Sequence, residues 1–389
     1  MDIDTIKILI VDDSAVYRNL LRGILSNRKK LEIVGTANNG VLALHQINQY
    51  KPDLVIMDME MPVMNGSDAI KEIRKTNSDL KILVFSGLSR ASIASSLSLL
   101  DSGVIDVMTK PEASQSDFVQ TKKAITEALI PKIYNLFYLD VSTIDPEFKD
   151  PSSGLLKKVS AEPLKRIAAE TGSQPSPDEK KLNQRPGTDV LHLNLRPHVI
   201  IIASSTGGPG ALEAIFKDLG SPDCVPILIV QHMPVEFTKI FSERLNSICS
   251  FEVKEAVHGE TIKNGTVYIA PGDYHMEVEY NDILKAGKIV LHQQEKKHFV
   301  RPAADYLFNS VARQYRQNCY GMVLTGMGND GAIGATELKR HGGHILIQSE
   351  ESAVVWGMAG ATYRADAWSQ MGDLDFCREV LTSFIGNVS

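Results

Sequence analysis

Three segments of this chain carry side chains suited to acyl chemistry. Ala203-Ser204-Ser205-Thr206-Gly207-Gly208 closes the apolar run VIIIA, Gln231-His232-Met233-Pro234 closes ILIV, and Thr325-Gly326-Met327-Gly328-Asn329-Asp330-Gly331 follows Met322-Val323-Leu324. Short β-rich apolar runs of this kind form buried parallel strands. A hydroxyl on the first turn sits at a sheet edge, among backbone N–H groups and the positive end of the next helix. Those are the ingredients of an activated serine beside an oxyanion hole. A serine needs a base, and the base needs an orienter. An unperturbed imidazole is mostly neutral at pH 7, so His232 suits the first role. Asp330, the acid of a glycine-dense loop, suits the second. Each residue also has a plainer reading. Small residues let a chain turn, a lone histidine packs structurally, and Asp330 caps a helix over Ala332–Lys339.

A second constellation lies nearer the amino end. Asp12-Asp13 closes one strand-like run, Asp58 another, and Ser86 and Lys110 two more. In a parallel sheet these strand ends share one edge. Three crowded carboxylates repel each other unless a hard cation such as Mg²⁺ joins them. Such an ion neutralises a phosphoryl group under attack by an aspartate, while the lysine and hydroxyl hold its oxygens.

The elements needed to position these groups are legible. Over residues 1–130, apolar runs at Ile6–Val11, Ile33–Ala37, Leu54–Met57, Ile82–Phe85 and Val104–Met108 alternate with helical patterns at Ala15–Leu25, Val41–Ile47, Asp68–Ile73 and Ile93–Leu100. This predicts an α/β domain with a five-stranded, doubly wound parallel sheet. Residues 131–195 are rich in Pro, Ser and charge, as in SQPSPDEKKLNQRPG, and read as a partly flexible interdomain linker with a short helix over Ala161–Ala169. Residues 196–389 alternate again and predict a second doubly wound α/β domain.

Residues 5–128 resemble the response-regulator receiver family through Asp12, Asp13, Asp58, Met61-Pro62, Gly66, Ser86 and Lys110-Pro111. The resemblance implies that Asp58 accepts a phosphoryl group from a chemotaxis histidine kinase. It implies that Asp13, Asp58 and the Glu60 carbonyl ligate Mg²⁺, with Asp12 acting through a metal-bound water. Ser86 and Lys110 would touch the phosphoryl oxygens. Val107 stands where many receivers carry an aromatic switch residue, so the route by which the signal leaves the site departs from the family pattern.

SSTGG, QHMP, YIAPGDYHM, RPAADYLF and LTGMGNDGA together resemble the catalytic domain of the chemotaxis protein-glutamate methylesterase (CheB) family, over about residues 197–385. A receiver followed by that domain is the family's own architecture. By position the resemblance implies Ser205 as nucleophile, His232 as base and Asp330 as orienter. Thr206 would neighbour the nucleophile, and the Met327 N–H would help form the oxyanion hole. It further implies removal of methyl esters from glutamates of methyl-accepting chemoreceptors, deamidation of receptor glutamines, and a receiver that covers the cleft until Asp58 is phosphorylated. No cofactor is implied for the esterase. Ala359 replaces the usual Pro of an aromatic-Gly-Met-Pro segment, and the linker is longer than in compact members.

Composition narrows the alternatives. The chain has 389 residues, is 43% hydrophobic and 23% charged, and carries a net charge of −6, an ordinary globular balance with no basic block for nucleic acid. Its four cysteines lack CxxC spacing and fit structural thiols in a reducing, cytoplasmic compartment. No apolar stretch is long enough to span a bilayer. Gly208-Pro209-Gly210 lacks the third glycine of a dinucleotide fingerprint, and Ala203 breaks the GxSxG elbow of α/β-hydrolases. His341-Gly-Gly-His344 has too few companions for a metal site. Two rival readings remain at this level, a phosphorylation-dependent adaptor on receptors or kinase and an esterase for another acyl substrate.

Overall fold

The computed structural model describes residues 5–87, 89–99, 103–110, 118–137, 139, 144–145, 197–219, 224–281 and 286–385. Pro111 and the short helix expected over Ala161–Ala169 lie outside them, as does most of the expected linker. The chain divides into two units, each with its own sheet.

The first unit runs β1 (Ile6–Val11), α1 (Ala15–Leu25), β2 (Leu31–Ala37), α2 (Gly40–Tyr50), β3 (Leu54–Met57), α3 (Gly66–Thr76), β4 (Lys81–Ser86), α4 (Arg90–Ser98), β5 (Asp106–Thr109) and α5 (Phe118–Leu136). Its strands lie in the order β2-β1-β3-β4-β5, all parallel. β3 is buried along its whole length, as expected of a strand covered by helices on both faces. α5 continues to Leu136 with Pro131 inside it. Ile130, Ile133, Tyr134 and Leu136 are all buried, so the apolar stripe persists through the proline and offsets its missing N–H.

From residue 199 the chain runs β6 (Val199–Ser204), α6 (Gly208–Phe216), β7 (Ile227–Gln231), α7 (Val235–Ile248), β8 (Glu252–Glu255), β9 (Thr266–Ile269), β10 (His275–Asn281), β11 (Ala286–His292), α8 (Ala304–Tyr315), β12 (Cys319–Val323), α9 (Ala332–Arg340), β13 (His344–Gln348), α10 (Met358–Arg364), β14 (Gln370–Gly372) and α11 (Leu374–Ile385), all of it in the second unit except Met233–Phe241. Seven parallel strands follow the order β14-β13-β12-β6-β7-β9-β8. The chain builds outward from β6 on one side, then returns to add β12, β13 and β14 on the other. This reversal makes the carboxyl ends of β6, β7 and β12 the crevice where open α/β sheets bind ligands.

One element was not expected from the sequence. β10 and β11 pair antiparallel as a separate two-stranded ribbon. Val278 on β10 donates its backbone N–H to Ser310 Oγ of α8 at 3.0 Å, which holds the ribbon to that helix. Among the described residues, no helix is long and apolar enough to cross a membrane.

Candidate active site and receiver site

Ser205 and His232 are brought together by register. Ser204 pairs with Gln231 across the β6–β7 ladder, so the next residue of each strand leaves the sheet at the same edge. The His232 N–H donates to the Ser204 carbonyl at 3.2 Å, and Gln231 Nε2 donates to the Ser205 carbonyl at 2.9 Å. The Ser204 hydroxyl donates to Gln231 Oε1 at 2.7 Å, completing a buried polar bridge beneath the turn. Ser205 is buried, and the chain then turns through Gly207 at φ +78°, a conformation that favours glycine.

The third strand end closes over this turn. The Ser205 N–H donates to the Thr325 carbonyl at 3.0 Å, and Thr325 Oγ1 donates to the Thr206 carbonyl at 2.9 Å. Gln348 Oε1 accepts the Thr325 N–H at 2.7 Å and fixes the loop from below. Gly326 then lies so close that a Cβ there would be 3.0 Å from both Ser205 N and Ser205 Cβ. The Gly326 carbonyl accepts N–H groups from Gly357 and Met358 at 3.0 and 2.8 Å, which anchors the segment carrying Met327. Ala359 is fully buried in α10 just beyond this anchor.

Asp330 is placed by two helix starts. Its Oδ2 accepts the Ala304 N–H at 2.5 Å, and its Oδ1 accepts those of Asp305 and Gly331, each at 3.0 Å. The same Oδ2 faces His232 Nε2 at 2.8 Å. A carboxylate only accepts hydrogen bonds, so Nε2 carries the hydrogen and Nδ1 holds the imidazole lone pair. Burial alone would raise the Asp330 pKa, but the His232 hydrogen bond and charge, the charge of His298 and the Ala304 N–H hold it well below the usual carboxylate range.

Sequence reasoning missed four groups here. Asp305 lay unremarked inside the RPAADYLF motif and His275 inside YIAPGDYHM, while His298 and Lys297 carried no positional signal. His275 Nδ1 accepts the Ala303 N–H at 3.1 Å, while its Nε2 donates to the Glu295 carbonyl at the same distance. Burial lowers the His275 pKa to about 4, so it serves as a neutral support. The buried carboxylates of Asp305 and Asp330 both accept backbone N–H groups and each offer an oxygen within 4.8 Å of the other and of a His298 ring nitrogen.

In the first unit, Asp12 and Asp13 follow β1, Asp58 follows β3, Ser86 ends β4 and Lys110 follows β5. Lys110 Nζ lies 2.7 Å from both Asp12 Oδ2 and Asp58 Oδ2. Burial raises the pKa of both carboxylates even though Lys110 opposes it. The Lys110 N–H donates to the Ser86 carbonyl at 2.7 Å, which seats the lysine beside the buried serine. Arg18 donates to the carbonyls of Asp12 and Asp13 at 2.7 and 2.8 Å, stiffening that turn. Asp12, Asp13 and Asp58 each offer an oxygen within 4.8 Å of the others. The carboxylate of the exposed Glu60 accepts the Ser92 hydroxyl of α4, and the Glu60 N–H donates to Asp58 Oδ1 at 3.4 Å. Val107 is buried in β5.

The two units match two family models, the CheB methylesterase over residues 200–378 and the response regulator receiver domain over residues 8–121. A protein-glutamate methylesterase/protein-glutamine glutaminase of Treponema denticola is 33% identical over 96% of this chain and 96% of its own. One from Trichodesmium erythraeum is 36% identical over 98% of this chain and 99% of its own. The crystal structure of the Thermotoga maritima CheB methylesterase catalytic domain is 35% identical, covers 47% of this chain and 96% of that one, and superposes with a TM-score of 0.45. With both site geometries in place and identity running the length of such relatives, this chain belongs to the CheB family of protein-glutamate methylesterases, with a response-regulator receiver ahead of the catalytic domain.

Proposed function

We propose that this chain hydrolyses γ-methyl esters of glutamate on methyl-accepting chemoreceptors and deamidates receptor glutamines, with Ser205, His232 and Asp330 as its catalytic residues. The observation that carries this reading is the 2.8 Å contact between His232 Nε2 and Asp330, at the strand ends that also hold Ser205. It leaves Nδ1 as the basic nitrogen. Ser205 Oγ bonds to the ester carbonyl carbon as Nδ1 takes its proton. The carbonyl electrons move onto oxygen, which backbone donors near Thr206 and Met327 stabilise by about 3 kcal/mol each. Collapse expels methanol, protonated by His232. Water then adds to the acyl carbon, giving its proton to Nδ1, and glutamate leaves as Ser205 regains its hydrogen. A glutamine amide follows the same course and releases ammonia.

Asp58 is the phosphoacceptor, with a chemotaxis histidine kinase as donor. Three convergent carboxylate oxygens, two on groups whose pKa burial has raised, fit a hard divalent cation. Asp13, Asp58 and the Glu60 carbonyl would hold Mg²⁺, and Asp12 would hold a water on it. The ion supplies charge neutralisation for phosphoryl transfer. Ser86 and Lys110 bind the phosphoryl oxygens, and the added charge relieves inhibition of the esterase. The proposed domain limits are 1–130 for the receiver, 131–195 for the linker and 196–389 for the esterase, in a cytoplasmic protein.

Methanol release from methylated receptor membranes, by wild type and S205A with and without acetyl phosphate, tests this reading. Serine-dependent release that rises with the phosphoryl donor is expected. Release that survives S205A would overturn the catalytic assignment. Equal release with and without donor, after phosphorylation is confirmed, would overturn the regulatory one.

A further inference from the structure

The described residues place a second imidazole on the far side of Asp330. His298 Nε2 lies 2.8 Å from Asp305 Oδ2 and 3.9 Å from Asp330 Oδ1, with the three side chains 5%, 0% and 2% exposed. Asp305 Oδ2 is an acceptor at hydrogen-bond distance, so Nε2 carries a hydrogen and donates it there. His298 and the next residue, Phe299, hold φ at +52° and +64°, a left-handed pair with no glycine. Such a backbone is costly and persists where surrounding contacts over-determine it. Here it turns the imidazole inward to the carboxylates while Phe299 stays exposed.

We infer that His298 is a positioning residue of the esterase site, acting through Asp305 and Asp330 to set the pH at which His232 becomes a competent base. The inference rests on the proposed roles of His232 and Asp330. Asp330 carries His232 on one oxygen, and His298 Nε2 stands 3.9 Å from the other, so that its N–H acts on Asp330 through its field and not by a hydrogen bond. That donor draws negative charge away from His232 and limits how tightly the carboxylate holds the His232 proton. The other charged and titratable groups facing this cluster are Asp305, Lys297 at 3.1 Å from Asp305 Oδ2, and His275 behind Ala303. Arg301 is turned aside onto Asp273 at 2.6 Å.

The test uses the full chain. H298A and H298L both lack the donor, one small and one bulky, so that loss of fold in one leaves the other. H298Q restores an N–H. The pH dependence of kcat/KM for methanol release is measured beside the NMR titration of the His232 ring. In the donorless variants the acid limb and the ring midpoint both move upward, by about one pH unit, as for a charge or donor lost within a few ångströms. The plateau rate falls about tenfold, the size of one charge-assisted hydrogen bond, and H298Q recovers most of it. A midpoint and limb that stay at their wild-type positions in both donorless variants overturn the inference, whatever happens to the rate. Persistent activity in S205A would instead overturn the catalytic reading. The ring titration needs no turnover, so the two failures are distinguishable.

Discussion

Asp305 and Asp330 each cap the helix that carries or follows the other. Asp330 takes the N–H groups of Ala304 and Asp305, which begin α8, at 2.5 and 3.0 Å. Asp305 takes those of Gly331 and Gly334, at the start of α9, at 3.1 and 2.7 Å. Helix starts leave unpaired N–H groups and a partial positive charge, so a carboxylate is suited to each. The exchange locks two helices together through the same side chain that orients His232. Gly334 permits the close approach, since a Cβ there would lie 2.4 Å from Phe308 Cβ.

Asp305→Ala is therefore expected to destabilise the second unit by about 3 kcal/mol, from one lost cap and buried donors left unpaired. Urea unfolding of the full chain measures this. An unchanged midpoint would show the reciprocal cap to be dispensable.

Asp330→Asn leaves the shape but removes the charge. Loss of the orienting carboxylate is expected to lower kcat about 10⁴-fold, as in comparable triads. Because the Asp330 pKa is depressed in the native state, its contribution to stability is fully present above the ordinary carboxylate value of about 4 and disappears as pH falls into the depressed range. Acid unfolding followed at neutral and low pH should show wild type and Asp330→Asn converging only at the acid end.

Gly326→Ala tests the close contact beside the nucleophile. The new methyl would lie 2.4 Å from Met358 Sδ, which can swing away, and 3.0 Å from Ser205 N and Cβ, which cannot. Displacement of Ser205 by a few tenths of an ångström is expected to cost about 10² in kcat, a misplacement effect, with KM and the melting temperature little changed. Steady-state methanol release decides it; a wild-type kcat would show that the turn can yield.

In the receiver, burial raises the pKa of Asp12 and Asp58, with repulsion from Asp13 on the first and from Asp12 on the second adding to it. Raised native values mean that these groups withdraw stability as pH climbs above about 4, where the unfolded carboxylates ionise. Mg²⁺ binds the ionised form, so it should raise the melting transition of the receiver near pH 7, by about 2.7 kcal/mol at a hundredfold excess over Kd. Scanning calorimetry with and without Mg²⁺ should show the gain shrinking towards acid pH. A gain independent of pH would place the ion elsewhere.

The strand-helix alternation was legible because parallel strands covered on both faces are written as short apolar runs, VIIIA and ILIV among them. The site's outline was legible for a related reason, since polar residues directly after such runs must emerge at one edge. The antiparallel ribbon was missed although Met276, Val278 and Tyr280 alternate with polar residues in HMEVEYN, the pattern of a half-buried strand, because it lacks the unbroken apolar run that marks the parallel strands. His298 was missed too. Its place depends on a left-handed backbone and on a helix start contributed by residues further along the chain, and neither leaves a periodic trace.

The ladder joining β6 to β12 pairs Ala203 with Val323, and Ser205 and Asp330 emerge just beyond it. Each part of the esterase site therefore hangs on contacts between segments distant in the chain. Closing such long loops precedes any reward from the contacts they make, which slows this class of sheet. During refolding, helical signal should return well before methanol release does, and the active centre should be among the last things the chain completes.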